Sequence, residues 1–471
     1  MTAQPAAEAP DGLPLPQRYL SILTIALVMA MTVLDQSIAN IALPTIAKAL
    51  KSTDAASIWV VNAYQVSMVM FLLPMAALGD AIGYRRVFLA GLPLFALGAV
   101  GCALSNSMEM LTVMRCLEGI GGACCSATNS AVVRFTYPSS MLGRGIGFNA
   151  VIIAVFSALG PTIAGAILAI GPWQWLFAIN PPFLLAAFIL GLWSLPKTKG
   201  SGHRFDPLSA LLNGVTWGGL LLGGSSLAHD VTPLALGELA AGVVAGVFLS
   251  MRELKKPVPL VPFDLMRIRI FRLSVATGIA SFGSQMLAFL AIPFYFQGPL
   301  QIPVVQTGML MTPWPIAAGV SANVAGYLSD RYPAGILGAF GLSVMAVGLV
   351  LVAMIAPGAS HLDIIWRMTL CGVGFGFFQA PNNRTLVSSA PRERSGAAGG
   401  MLATARLLGQ TIGAGVMVLL FHLVPGQPTK VALYVAAAGS VIAALVSLSR
   451  LRAPPTPMVR EPEPEVLEDA V

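Results

Sequence analysis

The chain has 471 residues, of which 56% are hydrophobic and 10% are charged, and its formal net charge is +7. A soluble domain carries roughly 25% charged residues and could not bury this much apolar surface, so a soluble globular protein is excluded. The basic residues lie mainly in loops between apolar segments, which argues for membrane topology and against nucleic-acid binding as the reason for the positive charge.

Fourteen apolar segments are each long enough to cross the hydrocarbon core of a bilayer, which takes about 20 residues of helix. Gly171 with Pro172, and the sequence QGPLQIP, each divide a long uncharged run into a pair of segments. The predicted spans are 19–43, 57–79, 87–105, 109–133, 145–168, 174–195, 207–228, 234–251, 273–296, 305–328, 334–356, 363–387, 396–421 and 430–449.

Lys and Arg are distributed unequally between the two sets of loops. With the N terminus in the cytoplasm, 21 of the 27 basic residues lie in cytoplasmic segments, three lie in external segments and three lie within spans. This asymmetry predicts a multi-pass protein of the cytoplasmic (inner) membrane with both termini in the cytoplasm.

The predicted organisation follows from the spans. It comprises a cytoplasmic N-terminal segment (1–18), an N-terminal six-helix bundle (19–195), two additional transmembrane helices (196–251), a cytoplasmic amphipathic linker (252–272), a C-terminal six-helix bundle (273–450) and a disordered, acidic and Pro-rich tail (451–471). The linker is either a short helix on the inner leaflet or a basic loop that fixes topology.

The first span carries a single charge, Asp35. A charged Asp at the centre of the hydrocarbon costs about 2.5–3.5 kcal/mol on insertion scales, so it calls for a functional or structural reason. Counting about 1.5 Å per residue places Asp35 at a depth similar to that of Arg115 in the fourth span. Glu118 lies one turn from Arg115 on the same face. The three residues are candidates for a proton-exchange site. The alternatives are a static ion pair for Asp35 and Arg115, and a cation-binding group for Glu118.

Other polar groups within spans are candidates for a substrate cavity. Arg406, in the thirteenth span, comes to a similar depth and would either neutralise Glu118 or bind an anionic part of a substrate. The remaining candidates either line the path or form hydrogen bonds between helices. They are Gln65, Asn149, Asn180, Gln285 and Gln297.

Charged landmarks repeat along the chain at a nearly constant offset. This offset is longer than a six-helix unit requires, and the extra residues accommodate the two additional helices. Carriers built from such repeats place the substrate site near the midplane between them. The expected fold is all-α: two pseudo-symmetric six-helix bundles plus two helices. The repeated landmarks form four pairs, each separated by 250–252 residues: Asp80 and Asp330, Arg115 and Arg367, Arg134 and Arg384, and Arg144 and Arg394.

Little in the sequence indicates a cofactor, a metal or an enzyme. The five cysteines form no CxxC pair and the four histidines are scattered, so no metal site is expected. The glycine-rich sequences GRGIG and GVGFG follow no strand, and no GxxxxGK[ST] occurs, so ATP is not expected to drive this protein.

Several motifs together resemble the major facilitator superfamily, and in particular its fourteen-helix drug:proton antiporter family of the quaternary-ammonium exporter type. The match departs from the family pattern at Ala76, Ala81, Glu118, Phe156 and Ala164. The motifs are LDQSIANIALP (34–44), LGDAIGYRR (78–86), RCLEGIGGA (115–123), ALGPTIAGA (158–166) and WQWLFAINPP (173–182).

The resemblance implies roles for two motifs. The loop after the second span, with its partial repeat after the tenth, corresponds to a cytoplasmic gate that closes against the start of the thirteenth span near Gly396. The motif in the fifth span is associated with antiporters and with a seal between the two halves. The gate residues are Asp80, Gly83, Arg85, Asp330 and Arg331, and the fifth-span residues are Gly160, Pro161 and Gly165.

The expected function is proton-coupled antiport that exports lipophilic toxic compounds or drugs by alternating access. The partners are a small-molecule substrate, protons and membrane lipid, without nucleic acid or ATP, and the chain is expected to be a monomer. Cation recognition would depend on Asp35 and Glu118, so a neutral or weakly basic substrate fits as well as a dication. The alternatives are a narrow-specificity exporter of one metabolite, uptake by symport, which the motif at Gly160 and Pro161 disfavours, and a membrane receptor or scaffold that does not transport.

Overall fold

The structure, a computed structural model, describes residues 12–138, 141–198, 200, 205–229, 232–256, 264–390 and 394–452. Within these ranges there are seventeen α-helices and no β-strand. The first eleven residues, residues 257–263 of the predicted linker and the acidic tail beyond residue 452 lie outside the described residues. The helices are α1 (Leu15–Ala49), α2 (Asp54–Ser57), α3 (Trp59–Ile82), α4 (Tyr84–Ala103), α5 (Met108–Thr136), α6 (Leu142–Ile170), α7 (Trp175–Ala178), α8 (Asn180–Ser194), α9 (Pro207–His229), α10 (Pro233–Glu253), α11 (Arg269–Gln297), α12 (Val304–Met311), α13 (Pro313–Leu328), α14 (Ala334–Ala353), α15 (His361–Ser388), α16 (Ser395–Leu423) and α17 (Pro428–Ser449).

The helices confirm an all-helical membrane protein. In the described part of the chain, ten helical stretches are long and apolar enough to cross a membrane. Helices α5, α9 and α15 are as long but contain charged or polar positions, and α12 with α13 is interrupted. Hydropathy and length alone therefore support ten of the fourteen expected spans.

Proline explains where the helices differ from the predicted spans. The tenth span was expected to be one helix, but it is divided between α12 and α13 at Thr312, directly before Pro313 and Pro315. Pro has no N–H to donate, so it fits best in the first turn of a new helix. Asn180, Pro181 and Pro182 begin α8 in the same way after the short helix α7.

The two halves of the chain use the same helix pairings. In the N-terminal half α1 packs against α6 and α8, α4 packs against α5 and α8, and α3 packs against α5. In the C-terminal half α11 packs against α16 and α17, α14 against α15 and α17, and α13 against α15. The sequence repeat is thus matched by a repeat of packing.

Two ends of the bundle can be distinguished. We name the end at which α1 begins the near face, and the opposite end the far face. The amide of Leu13 donates to the Thr136 carbonyl, and the Gln17 amide group donates to the Ser194 carbonyl, so α5 and α8 end at the near face. At the far face the Gln297 side chain of α11 donates to the Ile41 carbonyl of α1 over 3.3 Å. The two halves are therefore in contact at the far face.

Helices α9 and α10 form a tightly packed hairpin beside the two halves. A Cβ added at Gly219 would lie 2.7 Å from the Gly242 backbone, so the two helix axes approach closely. The Asn213 side chain of α9 donates to the Met70 carbonyl of α3 over 2.9 Å. On its other side α9 packs Trp217 against a cluster that includes Leu408 of α16. The hairpin therefore contacts both halves, at the seam between α3 and α16.

A charged cluster holds the hairpin together at the near face. Asp206 lies 2.5 Å from Lys256 and 3.0 Å from Arg252, while Lys256 also lies 2.5 Å from Glu253. Burial alone would raise the pKa of Asp206, but hydrogen bonds from Lys256, Ser209 and Arg252 outweigh it and hold this pKa well below its usual range. The two acids and two bases balance one another, so the cluster is a structural clamp.

Candidate functional site

The centre of the N-terminal half contains one guanidinium between two carboxylates. Arg115 Nη1 lies 2.6 Å from Asp35 Oδ2 and 2.8 Å from Glu118 Oε2. All three side chains are at most 1% exposed. Helices α1 and α5 supply them, and the pairing of Arg115 with Glu118 is the expected contact between positions three apart on one helix face.

Close packing of α4 on α5 fixes the position of Glu118. A Cβ added at Gly98 would lie 2.6 Å from the Glu118 backbone nitrogen, so only glycine permits this approach. The Cys102 thiol, one turn further along α4, lies 3.5 Å from Glu118 Oε2. The neighbouring helix therefore both positions the carboxylate and supplies a weak donor to it.

Neutral groups complete the surroundings of Arg115 and Asp35. Arg115 Nε donates to the Val60 carbonyl over 2.8 Å, and its guanidinium lies 4.6 Å from the centre of the Tyr64 ring. The Asn180 side chain donates to Asp35 Oδ1 over 3.0 Å. With Cys102 of α4 and Phe177 of α7, whose ring centre lies 5.5 Å from the Arg115 guanidinium, the cluster draws on six helices, α1, α3, α4, α5, α7 and α8.

The charges in the cluster do not balance. Two carboxylates face one guanidinium, so the group carries one excess negative charge when both acids are ionised. Glu118 Oε1, Arg115 Nη2 and Asn180 Oδ1 are buried and have no hydrogen-bond partner. A buried excess charge is unfavourable, and one bound proton removes it. One carboxylate of the site can therefore hold a proton and leave Arg115 balanced by the other.

The predicted gate residues lie around the loop between α3 and α4. Asp80 accepts a hydrogen bond from the Tyr84 hydroxyl, and the Arg85 side chain donates to the Leu192 carbonyl. Asp80 and Arg85 therefore have separate partners. Gly83 has φ +102°, and a Cβ there would lie 2.5 Å from the Thr198 carbonyl oxygen, so this turn requires glycine.

The repeat of this loop in the C-terminal half has a different set of partners. Asp330 lies 2.5 Å from Arg384 of α15, and the two side chains are 60% and 58% exposed. The Arg331 guanidinium lies 5.8 Å from the centre of the Tyr327 ring. Gly396, the expected partner of the gate, lies in the first turn of α16, and its surroundings are outside the part of the chain that the structure describes.

The motif in the fifth predicted span lies on α6, where α6 meets the opposite half. A Cβ added at Gly308 of α12 would lie 2.2 Å from the Pro161 carbonyl oxygen, and one at Gly165 would lie 3.1 Å from Val305 Cα. Gly160 instead faces Ser37 of α1. The hydroxyls of Thr162 and Thr312 lie 2.7 Å apart across the same contact. The motif thus allows two helices from different halves to touch along their backbones.

The candidate cavity residues are found in several places. Gln65 is buried, and its side chain reaches Met286 Sδ of the opposite half at 3.7 Å. Asn149, Gln285 and Arg406 are partly buried. Arg406 lies within electrostatic range of Tyr64, and its Nε has no partner. Two candidates turn out to be structural contacts: Asn180 supports Asp35, and Gln297 joins the halves at the far face.

Several residues of the cluster could not be identified from sequence. Tyr64, Phe177 and Cys102 are apolar or weakly polar residues in apolar segments, and nothing in their spacing marks them. The Val60 contact uses a backbone carbonyl, which no side-chain pattern reveals. A buried polar network in the C-terminal half was also missed: Arg450, directly after the last predicted span, donates to the Asn382 side chain over 2.9 Å.

The described side chains include no group of three or more His, Cys, Asp or Glu residues that could hold a metal ion. The five cysteines are free thiols, and four of them are buried.

A chain of apolar helices in two similarly packed halves, with buried charges between the helices, defines a multi-pass membrane transporter. The family model of the Major Facilitator Superfamily matches residues 25–414, and the chain belongs to that family. It is 50% identical over 448 residues to an uncharacterized transporter of Escherichia coli strain K12, YebQ, covering 94% of this chain and 98% of YebQ.

Further relatives have more specific names. The riboflavin transporter RibZ of Clostridioides difficile is 29% identical, covering 84% of this chain and 87% of RibZ. The multidrug efflux pump LfrA of Mycolicibacterium smegmatis is 26% identical, covering 86% of this chain and 81% of LfrA. Among solved structures, a POT family transporter in complex with a thioalcohol-conjugated peptide superposes with a TM-score of 0.72 at 14% identity, covering 92% of this chain and 96% of that chain.

Proposed function

We propose that this protein is a proton-coupled antiporter that exports lipophilic toxic compounds or drugs across the cytoplasmic membrane by alternating access. The proposed topology has fourteen spans, with both termini and the near face in the cytoplasm. The observation that carries the proposal is the buried cluster in which Arg115 contacts both Asp35 and Glu118.

Proton coupling is supported by the excess negative charge of this cluster. One bound proton leaves Arg115 balanced by one remaining carboxylate, so the protonated and deprotonated states differ by one unit of buried charge. A positively charged or polar substrate near the cluster favours loss of that proton, and return of a proton favours release of the substrate. Asp35 and Glu118 are too well buried to touch a substrate in this conformation, so they act as the proton site.

Alternating access is supported by the contacts between the halves. Gly308 and Pro161 are in backbone contact, and Gln297 reaches Ile41, both at the far face. The fifth-span motif would separate from α12 when the cavity opens outward. The loop containing Asp80, Gly83 and Arg85 would then close the near face, assisted by Asp330 and Arg331. Gln65, Asn149, Gln285 and Arg406 would line the path between them.

Two substrate ranges are candidates, a broad one and a narrow one. Relatives named as multidrug pumps, such as LfrA, favour broad export of lipophilic compounds. RibZ, a named riboflavin transporter of similar identity, favours the alternative of one metabolite on the same scaffold. A receptor that does not transport has no relative among these and is not supported.

The test uses the full chain reconstituted into vesicles with an imposed pH gradient. We expect efflux of a fluorescent lipophilic cation such as ethidium to be driven by the gradient and to stop when a protonophore collapses it. Efflux that continues without the gradient would contradict proton coupling. Efflux of one metabolite with no effect on a panel of dyes would favour narrow specificity.

A further inference from the structure

A cavity of about 560 Å³ lies between α3 and the α9–α10 hairpin, away from the contact between the two halves. Its lining is almost entirely apolar, with Met70 and Phe71 on α3 and Gly214, Gly218 and Leu222 on α9. Leu211 and Leu222, which border it, are 63% and 37% exposed, so the cavity opens sideways toward the lipid. We name it the hairpin groove. Its volume is within the range of sites for small molecules.

Glycine on α9 gives the groove its depth. A Cβ added at Gly218 would lie 3.2 Å from the end of the Met70 side chain, so any larger residue there would fill the space. Along α9 the groove runs from Ala210 to Leu222, a rise of about 18 Å of helix. An elongated apolar molecule therefore fits along this face.

One carboxylate, Glu238 of α10, borders the groove toward the far face. It lies five residues inside α10, or about 8 Å from the start of the helix. The Ser226 hydroxyl donates to Glu238 Oε2 over 3.1 Å. The ion pairs of the described residues do not include Glu238. An acid inside a membrane helix without a cationic partner indicates a functional group.

We propose that the hairpin groove binds a lipophilic cation from the bilayer, with its apolar body against Met70 and Gly218 and its cationic group at Glu238. The apolar walls exclude inorganic cations and most polar metabolites, and the single carboxylate selects against anions. The volume of the groove fits a small molecule, and its single carboxylate matches a single cationic group.

The groove is distinct from the buried cluster around Arg115. Its lining comes from α3, the hairpin and Phe205 just before α9, with no residue of α16, and Glu238 belongs to neither six-helix bundle. It therefore serves as a peripheral site at which a membrane-dissolved compound is captured beside α3, the helix that also carries Gln65 and Tyr64 toward the cluster. The proposal rests on the proposed function only in taking the captured cation to be a substrate. Binding itself can be measured without transport.

The experiment is photolabelling of the full chain in phosphatidylcholine vesicles. The probe is a benzophenone carrying a trimethylammonium group, and the comparison is its neutral tert-butyl isostere, which has the same shape without the charge. Peptide mapping by mass spectrometry locates the labelled residues. We expect the cationic probe to label α3 near Met70 and α9 near Gly218, and the neutral isostere to label them weakly.

Two variants separate the charge from the space. In Glu238→Gln we expect labelling by the cation to fall by roughly tenfold, corresponding to about 1.4 kcal/mol, with the neutral isostere unaffected. In Gly218→Leu we expect neither probe to label the groove, because the leucine side chain fills it. The matched controls are Glu109→Gln, an exposed acid at the start of α5, and Gly224→Leu on α9, where an added Cβ meets nothing within 4 Å.

Equal labelling of the groove by both probes, or labelling that survives Glu238→Gln, would overturn the proposal. Labelling that disappears when phosphatidylethanolamine replaces phosphatidylcholine would assign the groove to a lipid amine and also overturn it. A failure of proton-driven efflux with the groove labelling intact would contradict the proposed function alone. Loss of labelling in both groove variants but neither control supports the hairpin groove as a cation site.

Discussion

The two halves of this protein place an arginine at corresponding positions and surround it differently. Arg115 of α5 and Arg367 of α15 each donate to a backbone carbonyl of a neighbouring helix, Val60 and Leu351 respectively. Arg367 pairs with Asp363 of its own helix at 2.8 Å, and these side chains are 16% and 30% exposed. Arg115 is fully buried and bridges two carboxylates.

The difference shows which part of a duplicated scaffold holds the chemistry. Both arginines donate to a backbone carbonyl, but Val60 lies on α3 and Leu351 on α14, the counterpart of α4, so these contacts belong to the local packing of helices. The excess acid, the burial and the link to α1 occur in the N-terminal half, where Asp35 is the single charge of its predicted span; Gln285 lies 250 residues further along, at the corresponding position. We infer that the C-terminal half supplies a structural ion pair and the N-terminal half the proton site.

The strongest way to test this comparison is to remove each arginine. Arg115→Ala leaves two buried carboxylates without a cation, and we expect a loss of about 3–5 kcal/mol in the free energy of unfolding. Arg367→Ala removes a partly exposed pair within one helix, for which we expect about 1 kcal/mol or less. Thermal denaturation in detergent measures both. Equal losses would show that the two arginines have the same structural role.

The contact between the halves at the far face can be broken at one glycine. Gly308→Ala places a methyl group against the Pro161 carbonyl, so we expect the closed far face to lose about 1–3 kcal/mol. Spin-label distances between α6 and α12 should lengthen. The matched control is Gly326→Ala on α13, where an added Cβ meets nothing within 4 Å. Unchanged distances in both variants would show that α6 and α12 do not form the proposed seal.

A smaller effect is expected at the near-face loop. Asp80→Asn removes a charge but leaves an oxygen that can still accept from Tyr84, so folding should be kept. We expect slower transport and a shift toward the inward-open state, because the proposed gate loses its acid. Asp330→Asn breaks an exposed ion pair worth about 1 kcal/mol or less, so it should change transport less. Normal transport and unchanged near-face spin-label distances in Asp80→Asn would contradict the gate.

Much of the fold follows from the sequence because the membrane leaves few alternatives. Apolar length gave the helices, and the repeated charges at one offset anticipated the repeated packing of the two halves. The interruptions at Pro313 and before Asn180 were missed, since the apolar runs are continuous across them. The sequence places the α9–α10 hairpin between the halves but carries no signal of where it packs.

The buried cluster was only partly predictable. Counting residues along two helices brought Asp35 and Arg115 to one depth, and the structure has them 2.6 Å apart. Counting residues could not decide the partner of Glu118, because depth does not determine which face of one helix meets another. In the structure Glu118 pairs with Arg115, whereas the sequence also offered Arg406, and the Asn180 side chain donates to Asp35. Side-chain direction across helices was the missing information.

The most direct test of the account compares Asp35→Asn with Asp363→Asn in vesicles, following substrate-driven proton movement with an internal pH dye. Asp35→Asn should insert at least as well as the parent and still bind substrate, because it removes a charge from the membrane. We predict that it abolishes substrate-driven proton movement, whereas Asp363→Asn retains it. Proton movement at the parent's stoichiometry in Asp35→Asn would contradict the account and leave Asp35 as a structural partner of Arg115.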